Sequence, residues 1–310
     1  MQSVHKPVLL HEVTSHLTDY WSQINSRQTS ISGEKTITVV DGTLGGAGHS
    51  LEICGFFHER INLIGLDRDP KATEQAAKTL SGKANKIILE CENFRNIDKV
   101  LNKYGIQNID FIILDLGISS DELQSSGKGF SFQKDEELLM TMGDPASYPF
   151  NAKTIVNEWS EETIADVIFG YGEERFARRI SRAIISYRAK KKIETSGELS
   201  EIVKSSVPAF YRRGKIHPAT KTFQALRIAV NDELGALKEG LAKGYEFLNY
   251  GGRMAIISFH SLEDRIVKNF YKEKAKDGAL IVTKKPIRPS NEEVAINPRS
   301  RSAKLRILEK

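Results

Sequence analysis

"VVDGTLGGAGHSLEI", Val39–Ile53, carries an apolar run into an acid, sets four glycines and a histidine in the next eight positions, and resumes as a helix. A glycine turn joining a strand to a helix lets a ligand lie against the backbone, because side chains there would block it. The next apolar run, "INLIGLD" 61 to 67, ends on Asp67, 26 residues after Asp41. That is the usual place for an acid that accepts hydrogen bonds from ribose hydroxyls. Turn and acid together imply an adenosine-bearing cofactor.

Working outward, short β-branched runs alternate with helical patterns, the signature of an α/β chain with a parallel sheet covered on both faces. The strand candidates are 36 to 41, 61 to 67, 86 to 90, 109 to 116, 253 to 259, 279 to 283 and 304 to 310. Between the fourth and fifth the alternation stops and helices and loops take over. We therefore expect an inserted all-helical domain over 123–216, with 1–122 and 217–310 forming the cofactor domain. Within the insert, 160 to 192 reads as a helix, a Gly-Tyr-Gly break and a long basic helix, and 196 to 207 as another helix. Residues 224 to 248 read as one strongly amphipathic helix leading into the fifth strand.

The 310 residues are 40% apolar and 27% charged, ordinary for a soluble globular protein. Forty-five Lys and Arg against forty Asp and Glu give a net charge of +5, which suits a polyanionic partner. Cys54 and Cys91 have neither CxxC spacing nor further cysteines, so no disulfide framework or zinc site is indicated, and no ligand cluster argues for any metal. No run approaches the ~18 apolar residues that span a bilayer. No secretory leader is legible, so the expected location is cytoplasmic, away from any membrane.

Charge discriminates between the two common adenosine-bearing cofactors. NAD would set a pyrophosphate over the turn, against the carboxylate of Asp41, whereas S-adenosylmethionine brings an ammonium and a sulfonium. Asp115, ending "FIILD", opens a further carboxylate toward the carboxyl ends of the strands, where ligands of open α/β sheets bind.

Ten segments now stand in order: "HKPVLLHEV" (5–13), "DGTLGGAGHS" (41–50), "GLDRDP" (65–70), "DFIILDLGISS" (110–120), "GFSF" (129–132), "FGYGEERFARRI" (169–180), "HPATKTFQALRIAVNDEL" (217–234), "GGRMAIISFHSLEDR" (251–265), "KPIRPS" (285–290) and "NPRSRSAKLR" (297–306). Over nearly its whole length the chain resembles the RsmH (MraW) family, which methylates the N4 amino group of one cytidine in the decoding centre of bacterial 16S rRNA. The resemblance implies a Rossmann-like class I methyltransferase sheet with an inserted all-α substrate-recognition domain. S-adenosyl-L-methionine is then the cofactor, and small-subunit ribosomal RNA within the assembled 30S subunit the partner. A homodimer fits this kind of enzyme, though no sequence feature demands one.

Carried over, the resemblance implies that Ala47, Gly48 and His49 contact the cofactor beside Asp41 and Gly45. Asp67 would hold its ribose, and Phe94 would pack on the adenine. Asp115 would face the methionine end or the target base. A carboxylate that accepts hydrogen bonds from the N4 hydrogens can both align the amine and help remove its proton, which makes Asp115 the first catalytic choice. His260, just past the fifth strand, is the alternative base or a stacking group, unless it is a loop histidine beside a helix cap formed by Ser261 and Asp264.

Two departures from the family pattern stand out. Asp121 and Glu122 occupy positions where the family has Pro and Gln, which puts a cofactor contact by Glu122 in question. "ELLMTM" (137–142) replaces P-L-D-M-R-M, so Leu139 and Thr141 stand for an Asp and an Arg.

For RNA, Arg175, Arg178, Arg179 and Arg182 share a helical face, followed by Lys190, Lys191 and Lys192. Arg212, Arg213, Lys215 and Lys221 form a second basic stretch. Arg299, Arg301, Lys304 and Arg306 form a third. A nicotinamide-dependent oxidoreductase would share the glycine turn and Asp67 but leaves Asp41 and the basic insert unexplained. A catalytically silent RNA-binding assembly factor would keep the basic faces and draws its support from Leu139 and Thr141.

Overall fold

The computed structural model describes residues 7–26, 36–118, 123 and 126–310. Among these, β1 (Ile37–Asp41), β2 (Ile61–Asp67), β3 (Lys86–Cys91), β4 (Ile109–Asp115), β5 (Leu248–Ser258), β6 (Leu280–Ile281) and β7 (Lys304–Glu309) form one sheet in the order β3-β2-β1-β4-β5-β7-β6. The first five strands pair in parallel, and β7 runs antiparallel to both β5 and β6. This order matches the Rossmann-like sheet that the resemblance implies. Every apolar run read as a strand forms one, although β5 begins earlier than expected and β6 shrinks to two residues.

The strands are apolar on both faces because both faces are covered. Val39, Leu63 and Ile113 face a layer built by helices Leu10–Ser26 and Gly48–Phe57, through Leu17 and Ile53. Their neighbours Val40, Ile64 and Ile112 face helices Glu233–Phe247 and Ser261–Lys276, through Leu241 and Tyr271. The strand order reverses between β1 and β4, so their carboxyl ends flank the crevice where open sheets bind ligands. Asp41, Asp67 and Asp115 are the last residues of β1, β2 and β4.

A second compact unit spans Ile118–Glu233 and the sheet unit takes the rest, so the unit boundaries lie outside the expected 123 and 216. Packing explains the difference. Helix Thr220–Asn231 sends Phe223, Leu226 and Val230 into a core shared with Ile155, Ile168 and Ile180. The Asn231 amide donates to the Met140 carbonyl (2.8 Å) and its oxygen accepts from the Met142 N–H (2.9 Å). Left-handed Asp232 (φ 46°) then ends that helix, so the expected 224–248 helix is two helices belonging to different units.

Helix Glu161–Gly172 continues through Gly-Tyr-Gly and stops at left-handed Glu173 (φ 47°). Arg175 therefore lies in the turn before helix Ala177–Arg188, and of the four arginines expected on one face Arg178, Arg179 and Arg182 share that helix.

Thr141, standing where the resemblance expects Arg, is fully buried, and its hydroxyl has no hydrogen-bond partner among the described residues. A buried hydroxyl left unpaired costs about 1–3 kcal/mol. Thr141→Val, equal in shape, is expected to raise the unfolding free energy by about 1 kcal/mol in a urea titration. An unchanged or lower value would mean that the hydroxyl is satisfied.

Candidate functional site

Asp41 is 2% exposed, and its carboxylate organises the glycine turn itself: Oδ1 accepts from the Thr43 N–H (3.1 Å) and Oδ2 from the Ser50 hydroxyl (2.6 Å). Asp67 is engaged similarly, with Oδ2 accepting from the Gly45 N–H (2.8 Å) and Oδ1 from the Asp69 N–H (2.9 Å). Asp115 differs. Its backbone N–H donates to the Thr43 hydroxyl (2.7 Å), yet its carboxyl Oδ1 is buried with no hydrogen-bond partner among the described residues. The second oxygen lies 3.9 Å from His49 Nδ1, while His49 Nε2 is held at 3.0 Å by the Val8 carbonyl. A carbonyl only accepts, so Nε2 carries a proton there.

All three carboxyls are harder to ionise than usual. Burial raises Asp41 to about 6, against the hydrogen bonds from Ser50 and Thr43. Burial also raises Asp67, and it drives Asp115 well above the ordinary range with further repulsion from Asp41, Glu263 and Glu293. Carboxyls desolvated in this way suit a cationic ligand and oppose a pyrophosphate.

The glycines divide the turn differently from the sequence reading. A Cβ on Gly48 would lie 2.3 Å from Pro7 Cγ, and one on Gly42 would lie 2.4 Å from Leu114 Cδ2, so those bare faces admit protein rather than ligand. Gly45 (φ 47°) has nothing within 4 Å of that position and remains open to a ligand. Ala47, also left-handed (φ 59°), and Gly48 start the helix that carries His49 and Ser50. Phe94 follows β3 and wedges between Gly42 and Gly240. Because β3 pairs with β2 in register at Asp67 and Cys91, Phe94 comes just beyond the strand end beside Asp67. Glu122 lies outside the described residues.

His260 is itself the cap of helix Ser261–Lys276: its Nδ1 accepts from the Glu263 N–H (3.4 Å), and Glu263 Oε2 accepts from the Phe259 (2.8 Å) and His260 (3.4 Å) N–H groups. This corrects the expected Ser261 and Asp264 cap. It also weakens the base role, because a neutral ring whose Nδ1 accepts carries its proton on Nε2. Asp264 instead accepts from Arg306 (2.7 Å) and Lys304 (3.1 Å), which removes those two cations from the free basic tail.

Sequence reasoning missed Glu263 and Glu293. Glu293 accepts the N–H of left-handed Leu9 (2.8 Å, φ 54°) and so fastens the segment whose Pro7 and Val8 cover the glycine turn. The spacing His260-x-x-Glu263 was a legible cap signal, whereas nothing local joins Leu9 to Glu293.

A model of the MraW methylase family matches residues 2–310. The chain belongs to the MraW methylase family. Among relatives of this MraW methylase, the "Ribosomal RNA small subunit methyltransferase H" of Acetivibrio thermocellus is 45% identical, with both chains covered in full. The protein of the same name from Brevibacillus brevis is 44% identical over 87% of this chain and 91% of its own. A crystal structure of a candidate rRNA methylase from Clostridium thermocellum aligns with TM-score 0.48 at 14% identity, covering 99% of this chain and 100% of that one.

The basic residues of this MraW methylase are unequal. Arg178, Arg179, Arg212, Arg213, Lys215, Arg299 and Arg301 are exposed. Lys221 is engaged with the Glu173 carbonyl (2.8 Å), Lys191 pairs with Glu198, and Arg182 lies 3.6 Å from Glu161. Among the described residues no helix is long and apolar enough to cross a membrane.

Proposed function

We propose that this MraW methylase transfers the methyl group of S-adenosylmethionine to the N4 amine of a cytidine in the decoding centre of 16S rRNA, within the 30S subunit. The observation that carries the reading is Asp115, a carboxyl at the switch-point end of β4 whose Oδ1 is buried with no hydrogen-bond partner among the described residues. Ribosomal RNA as substrate is supported by the names of relatives 44–45% identical.

S-adenosylmethionine supplies, when bound, an electrophilic methyl group on a sulfonium. Gly45 offers the open backbone, Asp67 sits where ribose hydroxyls are held, and Phe94 offers an apolar ring for the adenine. Asp115 accepts a hydrogen bond from the N4 hydrogens, turns the amine lone pair out of conjugation with the ring, and takes up the proton as positive charge develops. His260 Nε2–H acts as a donor, not as the base. Exposed Arg178, Arg179, Arg212, Arg213, Arg299 and Arg301 supply phosphate contacts, which position RNA without reading sequence.

The test is to incubate the protein with methyl-labelled S-adenosylmethionine and 30S subunits from cells lacking the activity, then digest the RNA. Label in N4-methylcytidine supports the reading, and label in another nucleoside overturns the position. No label, with the cofactor still bound, favours the silent assembly factor. Thr141 gives that alternative little support, since it is a core residue of its unit.

Cofactor binding should depend on pH with a definite sign. Asp41, raised to about 6 by burial, binds its proton more tightly folded than unfolded. Its contribution of ~3 kcal/mol is present below its ordinary value near 4 and is lost as pH rises through 6. A cationic cofactor favours the ionised form, so its affinity should climb over the same interval. We expect S-adenosylmethionine to raise the melting temperature more at pH 7.5 than at pH 5.5. An equal shift at both values would mean that Asp41 and Asp115 do not sense the cofactor's charge.

A further inference from the structure

The second unit carries an arrangement that the methyl-transfer chemistry does not use. Just past helix Glu161–Gly172, Glu174 is fully buried, and its two carboxylate oxygens accept from the Phe176 N–H (2.9 Å) and the Tyr211 hydroxyl (2.5 Å). This one acid ties two segments together, 35 residues apart. Around it the Arg175 guanidinium lies over the rings of Phe176 (4.8 Å), Tyr211 (5.2 Å) and Phe210 (5.5 Å), and Phe176 meets Tyr211 edge-on at 5.0 Å.

Phe210 is 64% exposed despite being a large apolar ring. It is followed at once by exposed Arg212, Arg213 and Lys215. The rings beneath it and the short helix Ala209–Arg212 fix its place. A ring held out to solvent beside several cations, with the acid Glu174 beneath it turned inward, suits a polyanion that also has flat apolar groups to stack.

We propose that Phe210 is a stacking platform for an unpaired RNA base, with Arg212, Arg213 and Lys215 holding the flanking phosphates and Glu174 setting the platform through Tyr211 and Phe176. The assignment rests on the RNA-directed reading above, but its test needs no methyl transfer. Stacking of a base on an aromatic ring is sequence-tolerant and is worth about a five- to hundredfold change in affinity per base. Phosphate contacts act differently: each one lost lowers the salt dependence of binding.

Fluorescence anisotropy of the full chain with a labelled 15-nucleotide oligouridine, and with an abasic ribose-phosphate chain of equal length, separates the two. The wild type should bind oligouridine at least fivefold more tightly than the abasic chain. Phe210→Ala should abolish that preference and leave the salt slope, the melting temperature and S-adenosylmethionine binding unchanged, and Phe210→Trp should restore it. Arg212→Ala with Arg213→Ala should keep the preference and flatten the salt slope. Equal binding of both probes by the wild type, or undiminished oligouridine affinity in Phe210→Ala, would overturn the platform even if 30S subunits are methylated normally. A change in oligomeric state in Phe210→Ala with RNA binding intact would also overturn it, assigning the ring to a contact between copies.

Discussion

Replacing Asp115 by asparagine is expected to lower methyl transfer by about 10²–10³-fold while leaving the protein as stable as the wild type, or more so, at pH 7.5. The two halves of this expectation have one origin. Burial, with Asp41, Glu263 and Glu293 nearby, lifts the Asp115 pKa far above that of a free carboxyl, so ionising it in the folded state is unfavourable. For an acid raised in this way, the stabilising contribution is full at low pH and lost as pH rises through the folded value. Asparagine resembles the protonated form in size and polarity and removes that pH-dependent loss. It cannot accept a proton, and one end of its amide donates where the N4 amine also donates. Stability and activity should thus move apart, an outcome that general damage to the fold cannot mimic. The measurements are single-turnover transfer of labelled methyl to 30S subunits, a thermal melt, and calorimetric titration with S-adenosylmethionine. Turnover within threefold of wild type would remove Asp115 as proton acceptor. A collapse of cofactor binding by a hundredfold or more would reassign it to the cofactor alone.

How much of this was legible in the sequence follows from the range of the interactions. Strands buried on both faces read as near-continuous apolar runs, so β1, β2 and β4 could be read directly, and the acids that end them marked the crevice. What those acids touch could not be read. Asp41 closes its own turn through Thr43 and Ser50, and Asp67 crosses to Gly45, contacts fixed by how strand ends lie side by side. Helix boundaries failed where one residue enters the left-handed region: Glu173 and Asp232 are ordinary helix-compatible types, and only packing forces them to φ 47° and 46°. Charge patterns misled wherever a partner was distant in sequence. Arg306 sits in a basic tail yet is 2.7 Å from Asp264, more than forty residues earlier.

The same reasoning gives opposite signs to two glycines in one motif. "FGYG" (169–172) reads as a helix break, but the helix passes through both glycines and each has its own environment. Gly170 is exposed, and a Cβ added there would meet nothing within 4 Å. Its cost is only the conformational freedom that glycine loses in a helix, so Gly170→Ala should stabilise the second unit by about 0.5–1 kcal/mol. At Gly172 a Cβ would lie 2.5 Å from the Lys221 carbonyl oxygen and 3.3 Å from Ala225 Cβ, so the helix Thr220–Asn231 passes directly over it. Backbone cannot rotate away as a side-chain end can. The two helices would have to separate, loosening Phe223 and Leu226 from the core and straining the Lys221 to Glu173 contact. Gly172→Ala should therefore destabilise the unit by about 2–3 kcal/mol or more. Denaturant titration of the two variants against wild type measures both, and equal stability of Gly172→Ala and wild type would refute the close crossing. The pairing is diagnostic because helix propensity alone predicts a gain at both positions. Only a backbone-to-backbone contact, invisible in the sequence, reverses the sign at one of them.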